Sequence, residues 1–335
     1  MDIKLGLKGR SILSLKTETP EELLFLLNLS LRLKTEKKQG KEVRRLIGKN
    51  IALIFEKSST RTRCAFEVAI ADQGACSSFL TGLQMGSKET VEDTFRVLER
   101  MYDAIEYRGS DHKMLEDCSR IIKIPIYNGL TDDYHPTQML ADVLTMKEHC
   151  PKPINEISYC FIGDCRFNMA NSHLIIASKL GMDIRLISPK SLKPNPKLIE
   201  ECEGYAKKSG AKITFTENLE EGVKGVDFIH TDVWVSMGEP EAVWEERIKL
   251  LKPYQVTMEL LKKTGNPYVK FMHCLPAFHN DRTEIGKKIK AKFGLDSMEC
   301  TDEVFESKAS VVFDQSENRM HTIKAILVAT LCNDY

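Results

Sequence analysis

The sequence predicts an α/β protein of two domains, each built on a mostly parallel β-sheet that helices flank. Short apolar segments rich in β-branched and aromatic residues alternate with helical patterns along most of the chain, as in parallel sheets with crossover helices. The chain has 335 residues, whereas one hydrophobic core rarely serves more than roughly 250–300 residues. We therefore expect two separate cores.

Nine segments are predicted to be strands, because they are short, apolar and bounded by polar or turn-forming residues. They are residues 50–56, 76–80, 103–108, 124–129, 156–164, 183–189, 212–216, 226–232 and 269–274. The two prolines of CPKPINEIS, residues 150–158, mark the expected domain boundary between the fourth and the fifth strand.

Two helices are predicted on either side of the second half of the sequence, one before its first strand and one after its last. A helix at about residues 136–149 precedes the boundary and is expected to join the halves. Near the end of the chain, an apolar stripe from Met320 to Leu331 predicts a final helix from Ser316 onward. The polar segment DQSENR, residues 314–319, is expected to form the turn at its start.

The composition excludes several classes of function. Lysine plus arginine and aspartate plus glutamate number 48 each, so no overall basic field attracts nucleic acid. The longest apolar stretches, such as AILVATLC at residues 325–332, are too short to span a bilayer, and the N-terminal segment lacks an export-signal pattern. Ten cysteines without a Cys-x-x-Cys pair favour reduced thiols over disulfides or a zinc site. We expect a cytoplasmic protein with no membrane or nucleic-acid partner.

The segment FEKSSTRTRC, residues 55–64, predicts an anion site. It places hydroxyl groups and guanidiniums between a predicted strand and a helical pattern; these side chains are Ser58, Ser59, Thr60, Arg61, Thr62 and Arg63. Backbone N–H groups at a helix start, together with arginines and hydroxyls, suit a phosphate group. The alternative is a capped surface helix with solvated arginines, which we regard as the weaker interpretation for so many donors.

Other polar residues follow the predicted strands of the first half. His135 and Gln138 open the helix at about 136–149 and would face one small volume, which suits a carbonyl oxygen that gains charge. A capping histidine beside a solvated glutamine is an equally good interpretation of this pair. Arg108 and Arg319 are either surface charges or additions to the phosphate site.

In the second half, polar residues at the strand ends suit an amino-acid head group. Asn168, Asp232 and Ser236 offer an amide and acceptors for an ammonium and a carboxylate. Cys274 lies between a histidine and a leucine-proline pair at the end of the ninth predicted strand. Taken alone, it is better interpreted as a buried structural thiol, the commoner fate of a cysteine.

Five motifs together give the chain a family resemblance. They are STRT (59–62), HPTQ (135–138), DVWVSMGE (232–239), HCLP (273–276) and ENRMHTIKA (317–325). Their order and approximate spacing resemble those of the carbamoyltransferases, specifically the ornithine carbamoyltransferase family, over nearly the whole chain.

The resemblance implies that residues 1–149 plus 317–335 form a carbamoyl-phosphate domain, to which the C-terminal helix returns, and that residues 150–316 form an ornithine domain. It implies that the phosphate is held by Ser59, Thr60, Arg61, Thr62 and Arg319. Arg108 would bridge the phosphate and the carbonyl oxygen, and His135 and Gln138 would contact the carbamoyl group. Gln84 matches a loop that enters the neighbouring subunit's site, which implies at least a homotrimer.

By the same resemblance, the head group of L-ornithine is held by Asn168, Asp232, Ser236 and, through its backbone, Met237. Cys274 and Leu275 match the pair beside the reacting amine and the carbamoyl group. Many relatives carry two adjacent asparagines where this chain has Phe167 before Asn168. The matching ligand position is the second, so ornithine binding is expected to survive, while the effect of Phe167 on the local shape and the acceptor affinity stays open.

The implied reaction is attack of a neutral amine on the carbonyl carbon, with Arg, His and Thr donors stabilising a tetrahedral intermediate. The amine proton is accepted either by Cys274, alone or coupled to Asp232, or by oxygens of carbamoyl phosphate. No metal or organic cofactor is expected. The open alternatives are another acceptor, a nucleotide-dependent oxidoreductase, which the single glycine of FIGDCRFN disfavours, and a silent binding protein.

Overall fold

The computed structural model describes residues 6–235, Glu239 and 241–332, with Glu241 described by its backbone alone. Contacts within the chain group it into two compact units, Met1–Leu144 with Glu317–Tyr335, and Thr145–Ser316. The sequence-based expectation places the same junctions at 149/150 and 316/317. No helix within the described part of the chain is both long enough and apolar enough to cross a membrane.

The elements alternate between strand and helix as predicted. The chain first forms α1 (Pro20–Lys38), β1 (Asn50–Phe55), α2 (Arg61–Asp72), β2 (Cys76–Leu80), α3 (Val91–Leu98), β3 (Ala104–Arg108), α4 (His112–Ile121), β4 (Ile126–Leu130) and α5 (Pro136–His149), the helix that contains the first unit junction. It continues with β5 (Ser158–Ile162), α6 (Asn168–Leu180), β6 (Asp183–Ile187), α7 (Pro196–Ser209), β7 (Lys212–Thr216), α8 (Leu219–Val223), β8 (Phe228–Thr231), α9 (Trp244–Leu251), α10 (Met258–Lys263), β9 (Lys270–His273), α11 (Glu284–Phe293), α12 (Asp302–Phe305) and α13 (Val312–Leu331).

Each unit contains one parallel sheet. The first has the strand order β2-β1-β3-β4 and the second β7-β6-β5-β8-β9, and the paired strands run parallel. In β1, five of the six residues are buried, because helices cover both faces of such a sheet and its strands are continuous apolar runs. The prediction of an α/β fold is confirmed, and the described residues contain the nine predicted strands.

The final helix packs against the first unit, as predicted. Lys34 of α1 donates to Asn318 Oδ1 of α13 over 2.7 Å. Lys324 of α13 is fully buried and donates to Asp72 Oδ2 at the end of α2 over 2.7 Å, and it also bonds to Glu42. These charge-assisted hydrogen bonds are directional, so they set the rotation of α13 as well as its position.

The prediction of a polar turn at residues 314–319 is wrong, since α13 begins at Val312 and contains all six residues. The reason is that some polar side chains of this segment point inward and are satisfied there. Gln315 is buried, and its Oε1 accepts the backbone N–H of His273 over 2.9 Å. Asn318 is buried and accepts from Lys34. Buried polar groups of this kind do not produce an apolar stripe.

Candidate active site

The start of α2 lies at the carboxyl ends of the strands of the first unit. Phe55, the last residue of β1, is paired with Arg108, the last residue of β3, so Arg108 lies beside the loop that leads into α2. The N-cap residue Thr60 makes no capping hydrogen bond with its side chain. The backbone N–H groups of the first helical turn are therefore not consumed by this side chain and can bind an anion.

Two guanidiniums converge on one buried hydroxyl group, that of Thr62. Arg108 donates from Nη1 to Thr62 Oγ1 over 2.8 Å. Arg319, from α13, donates from Nη2 to the same oxygen over 2.8 Å and from Nη1 to Gln138 Oε1 over 2.7 Å. Because the hydroxyl oxygen accepts two bonds, its own proton points elsewhere. The structure thus brings together three of the predicted phosphate-site residues and Gln138; we call them the Thr62 cluster.

The charges of the Thr62 cluster act on His135, the residue before α5. Only 3% of His135 is exposed. Burial lowers the pKa of His135 well below its usual value, and the positive charges of Arg319 and Arg108 lower it further. The imidazole is therefore neutral near neutral pH, and it contributes a hydrogen-bonding dipole rather than a third cation.

Glu106, in the middle of β3, is a site residue that our sequence analysis missed. It is fully buried, and neither carboxyl oxygen has a hydrogen-bond partner among the described residues. Burial raises the pKa of Glu106 well above its usual value, although the charges of Arg108 and Arg319 oppose the shift. A β-carbon at Gly129 would lie 1.9 Å from Glu106 Oε1, so only glycine fits beside this carboxyl group. The signal in the sequence was a charged residue inside the apolar strand AIEYR.

The other predicted phosphate-site residues lie at the same helix start or in a separate loop. Ser59 and Arg61 are half-buried at the start of α2, and Thr60 is exposed. Gln84 is exposed in a turn between β2 and α3, where its carbonyl oxygen accepts the N–H groups of Ser87 and Lys88 over 3.0 and 2.9 Å. These contacts hold the turn and do not connect Gln84 to the Thr62 cluster.

In the second unit, the register of two strands brings Asp232 and Cys274 together. Thr231 at the end of β8 is paired with His273 at the end of β9, so the next residue of each strand emerges at the same edge. The Cys274 thiol donates to Asp232 Oδ1 over 3.2 Å. This pair holds a proton between a sulfur and a carboxylate.

The remaining predicted acceptor-site residues are only partly described. Asn168 begins α6 and is half-buried, but Phe167 at the N-cap offers this helix no side-chain acceptor. Leu275 has a φ of 61°, a left-handed conformation that costs a non-glycine residue on the order of 1–2 kcal/mol. Ser236 and Met237 lie outside the described residues.

Two groups of side chains in the second unit have potential metal-ligand atoms within 4.8 Å of one another: Asp232, His273 and Cys274, and His279, Asp302 and Glu306. In the first group, His273 Nδ1 already accepts the N–H of Leu275 over 2.9 Å. In the second, the two oxygens of Asp302 are hydrogen-bonded to protein side chains. In each group at least one ligand atom is already engaged in a hydrogen bond within the protein, so we assign no metal to them.

Polar and charged side chains thus meet at the carboxyl ends of the strands within each α/β unit, which is where enzymes of this architecture bind small ligands. Residues 10–148 match the family model described as aspartate/ornithine carbamoyltransferase, carbamoyl-P binding domain. Residues 155–330 match the model of the Asp/Orn binding domain of the same family. The chain belongs to the aspartate/ornithine carbamoyltransferase family, as the five motifs predicted.

Individual relatives cover nearly the full chain. An ornithine carbamoyltransferase of Haemophilus influenzae (strain PittGG) is 59% identical over 330 residues, which are 97% of this chain and 99% of that protein. A catabolic ornithine carbamoyltransferase of Pseudomonas putida is 58% identical over 332 residues, 98% of this chain and 99% of that protein. The solved structure of the ornithine carbamoyltransferase from Pyrococcus furiosus is 40% identical and has a TM-score of 0.89, with 98% of each chain covered.

The variant Glu106→Gln is expected to gain stability over the wild type as the pH rises. An unfolded glutamate ionises near a pKa of about 4.3, whereas the native carboxyl group keeps its proton to higher pH. Above that pH the free energy of unfolding of the wild type therefore falls by up to about 1.4 kcal/mol per pH unit until the native carboxyl group ionises. The glutamine variant has no such fall. The difference in thermal midpoint, measured by calorimetry from about pH 5 to pH 8, should grow.

The matched control is Glu92→Gln, which changes an exposed carboxylate in the first turn of α3. Its thermal midpoint should differ from that of the wild type by an amount nearly independent of pH. A pH-independent difference for Glu106→Gln, or the same slope in both variants, contradicts the assignment of a buried carboxyl group with a raised pKa.

Proposed function

We propose that this enzyme transfers the carbamoyl group of carbamoyl phosphate to the side-chain amine of L-ornithine, which yields L-citrulline and phosphate. The observation that carries the proposal is the convergence of Arg108 and Arg319 on Thr62 in the first unit. Arg108 and Thr62 lie within residues 10–148, which match the carbamoyl-P binding model. Two guanidiniums beside a helix start suit a dianionic leaving group better than a neutral ligand.

In this proposal, residues 1–149 plus 317–335 bind carbamoyl phosphate. Its phosphate is held by Ser59, Thr60, Arg61, Thr62 and Arg319. Arg108 contacts both the phosphate and the carbonyl oxygen, and His135 and Gln138 contact the carbamoyl group. The low pKa of His135 supports this role, because a neutral imidazole can polarise a carbonyl group by a hydrogen bond without being a third cation.

Residues 150–316 are proposed to bind L-ornithine. The carboxylate of Asp232 suits the α-ammonium group, while Asn168, Ser236 and the backbone of Met237 complete the head-group site. Cys274 and Leu275 lie beside the amine that reacts. The negative charge of Asp232 disfavours aspartate as the acceptor, since a second carboxylate would lie close to it.

Catalysis follows from charge development on the carbonyl oxygen when the amine attacks. Preorganised donors that meet such charge commonly contribute about 2.7–4 kcal/mol each. Here the donors are Arg108, His135 and the hydroxyl group of Thr62. The collapse of the tetrahedral intermediate breaks the bond from carbon to the phosphate oxygen, and the guanidiniums stabilise the phosphate that leaves.

The attacking amine must first lose a proton, since a primary alkyl amine has a reference pKa of about 10.4. The hydrogen-bonded pair of Cys274 and Asp232 is one candidate acceptor. The oxygens of carbamoyl phosphate are the other. The pair is placed at the carboxyl end of the sheet, where ligands of parallel α/β folds bind.

We further propose a cytoplasmic assembly of at least three copies, in which the Gln84 loop completes a neighbouring subunit's site. The support is that Gln84 is exposed in a turn held by its own backbone contacts. The loop therefore has its shape before any partner binds. Its side chain is available for a ligand of the neighbouring copy.

The direct test is a steady-state assay with carbamoyl phosphate and a panel of acceptors: L-ornithine, putrescine, L-aspartate and N-acetylornithine. Ornithine should be preferred by about 100-fold or more in kcat/KM, because removal or masking of a head-group charge leaves buried polar groups unpaired. Phosphate and the ureido product should appear in equal amounts. Preference for another acceptor changes the substrate, and no ureido product from any acceptor overturns the function.

Replacement of Thr62 by valine tests the anion site. Thr62→Val removes the oxygen that Arg108 and Arg319 share, so the KM for carbamoyl phosphate should rise by about 10–100-fold. The matched control is Thr322→Val, which removes a buried hydroxyl group that bonds only within α13. If both variants keep the wild-type KM, Thr62 does not position the arginines for phosphate.

Cys274→Ser and Cys274→Ala test the route of the amine proton. If the thiol takes part, both variants lower kcat, and the pH dependence of kcat changes because an alcohol and a methyl group do not titrate in this range. Cys64→Ser, which alters an exposed thiol, serves as the control. An unaltered pH profile assigns the proton to the phosphate oxygens instead.

A further inference from the structure

His273, at the end of β9, is held on three sides within the second unit. It is fully buried. Its backbone N–H donates to Gln315 Oε1 of α13 over 2.9 Å. Its ring Nδ1 lies 2.9 Å from the backbone N of Leu275, and its ring Nε2 lies 3.2 Å from Glu299 Oε1.

These contacts determine which ring nitrogen carries the proton. The backbone N–H of Leu275 can only donate, so His273 Nδ1 must present its lone pair. The proton of the neutral ring is therefore on Nε2 and is donated to Glu299. Glu299 is fully buried as well, and its Oε1 also accepts the backbone N–H of Phe278 over 2.6 Å.

The result is a directed chain of hydrogen bonds from the Leu275 amide through the imidazole to the Glu299 carboxylate. Its outer end is the peptide between Cys274 and Leu275. Leu275 has the left-handed φ of 61°, which a leucine adopts only where surrounding contacts hold it. The imidazole supplies such a contact, because its hydrogen bond to the Leu275 N–H holds the plane of the Cys274–Leu275 peptide, from which the rotation φ about the N–Cα bond is measured.

A purely structural role explains these hydrogen bonds between Leu275, His273 and Glu299 poorly. A buried carboxylate is costly, and an apolar residue of similar volume would fill the core with less loss of hydration. What an apolar residue cannot do is select the tautomer of His273. Loss of the carboxylate would allow the proton to move to Nδ1, which would then repel the Leu275 N–H.

We propose that His273 and Glu299 are positioning residues for carbamoyl transfer, which hold the Cys274–Leu275 peptide in the orientation that the acceptor amine requires. This proposal rests on the proposed function, in which Cys274 and Leu275 lie beside that amine. Neither residue touches substrate, and no proton passes along the chain during turnover. Their effect is on kcat, because they place a group that is used in the transition state.

Two substitutions of His273 test separately its hydrogen bond to Leu275 and its hydrogen bond to Glu299. His273→Asn places an oxygen near the position of Nδ1 and keeps an acceptor for the Leu275 N–H, but it does not reach Glu299. His273→Gln places an amide nitrogen near the position of Nε2 and keeps a donor for Glu299, but it leaves the Leu275 N–H without an acceptor. Glu299→Gln removes the charge that selects the tautomer and conserves the volume.

The expected result is that His273→Gln and Glu299→Gln lower kcat by about tenfold or more, in line with the loss of up to about 100-fold for a misplaced group. The KM for carbamoyl phosphate should stay within about twofold of wild type, since the Thr62 cluster is untouched. His273→Asn should retain a higher kcat than His273→Gln.

The structural control is Val304→Ala, which creates a cavity in the buried core cluster of this unit and removes no hydrogen-bonding group. It should lower the thermal midpoint and leave kcat unchanged. The proposal is overturned if kcat in all the variants falls only in proportion to the thermal midpoint, or if His273→Asn is no better than His273→Gln.

Residue-resolved hydrogen exchange gives a second readout that needs no turnover. The Leu275 amide should be protected in the wild type and in His273→Asn, and it should exchange at least about tenfold faster in His273→Gln. Equal exchange in the two variants overturns the chain of hydrogen bonds, whatever the kinetics show. A wild-type protein without transferase activity overturns the proposed function instead, so the two failures are distinguishable.

Discussion

The sharing of one hydroxyl group by Arg108 and Arg319 is the interaction on which the rest of the first unit depends. Guanidiniums remain charged, and charges in a buried place need partners. Thr62 and Gln138 supply oxygens, Glu106 supplies an ionisable carboxyl group, and His135 is kept neutral. The cluster therefore carries an excess of positive charge, which is the physical basis for proposing an anionic ligand there. The return of α13 to this unit brings Arg319 to the cluster.

In the second unit, hydrogen bonds fix the short turn that follows β9. The parallel register of β8 and β9 brings Asp232 next to Cys274. Behind that pair, His273 and Glu299 hold the peptide that follows. Two carboxyl groups thus flank the turn: Asp232 accepts from the Cys274 thiol, and Glu299 is hydrogen-bonded to the His273 ring. The first suits recognition of an ammonium group and the second suits orientation of the backbone.

The nine strands could be predicted because parallel strands covered on both faces are continuous apolar runs. The contacts of Arg108 with Thr62 and of Cys274 with Asp232 could also be predicted, since these residues lie at or after strands whose carboxyl ends meet at one edge of the same sheet. Two features could not. The segment DQSENR is helical with Gln315 and Asn318 pointing inward, and no stripe of apolar residues reveals this. Glu106 and Glu299 look like ordinary charged residues until their burial is known.

The sequence by itself determined the order of strands and helices, the α/β class and the family, because these follow from local periodicity and from motifs of a few adjacent residues. Only the tertiary structure decided which charges meet. Thr62 and Arg319 are 257 residues apart, and His273 and Glu299 are 26 apart. Whether such groups share a hydrogen bond depends on the packing of whole elements. Burial then sets their protonation, since desolvation acts on a charge only after the chain has closed around it.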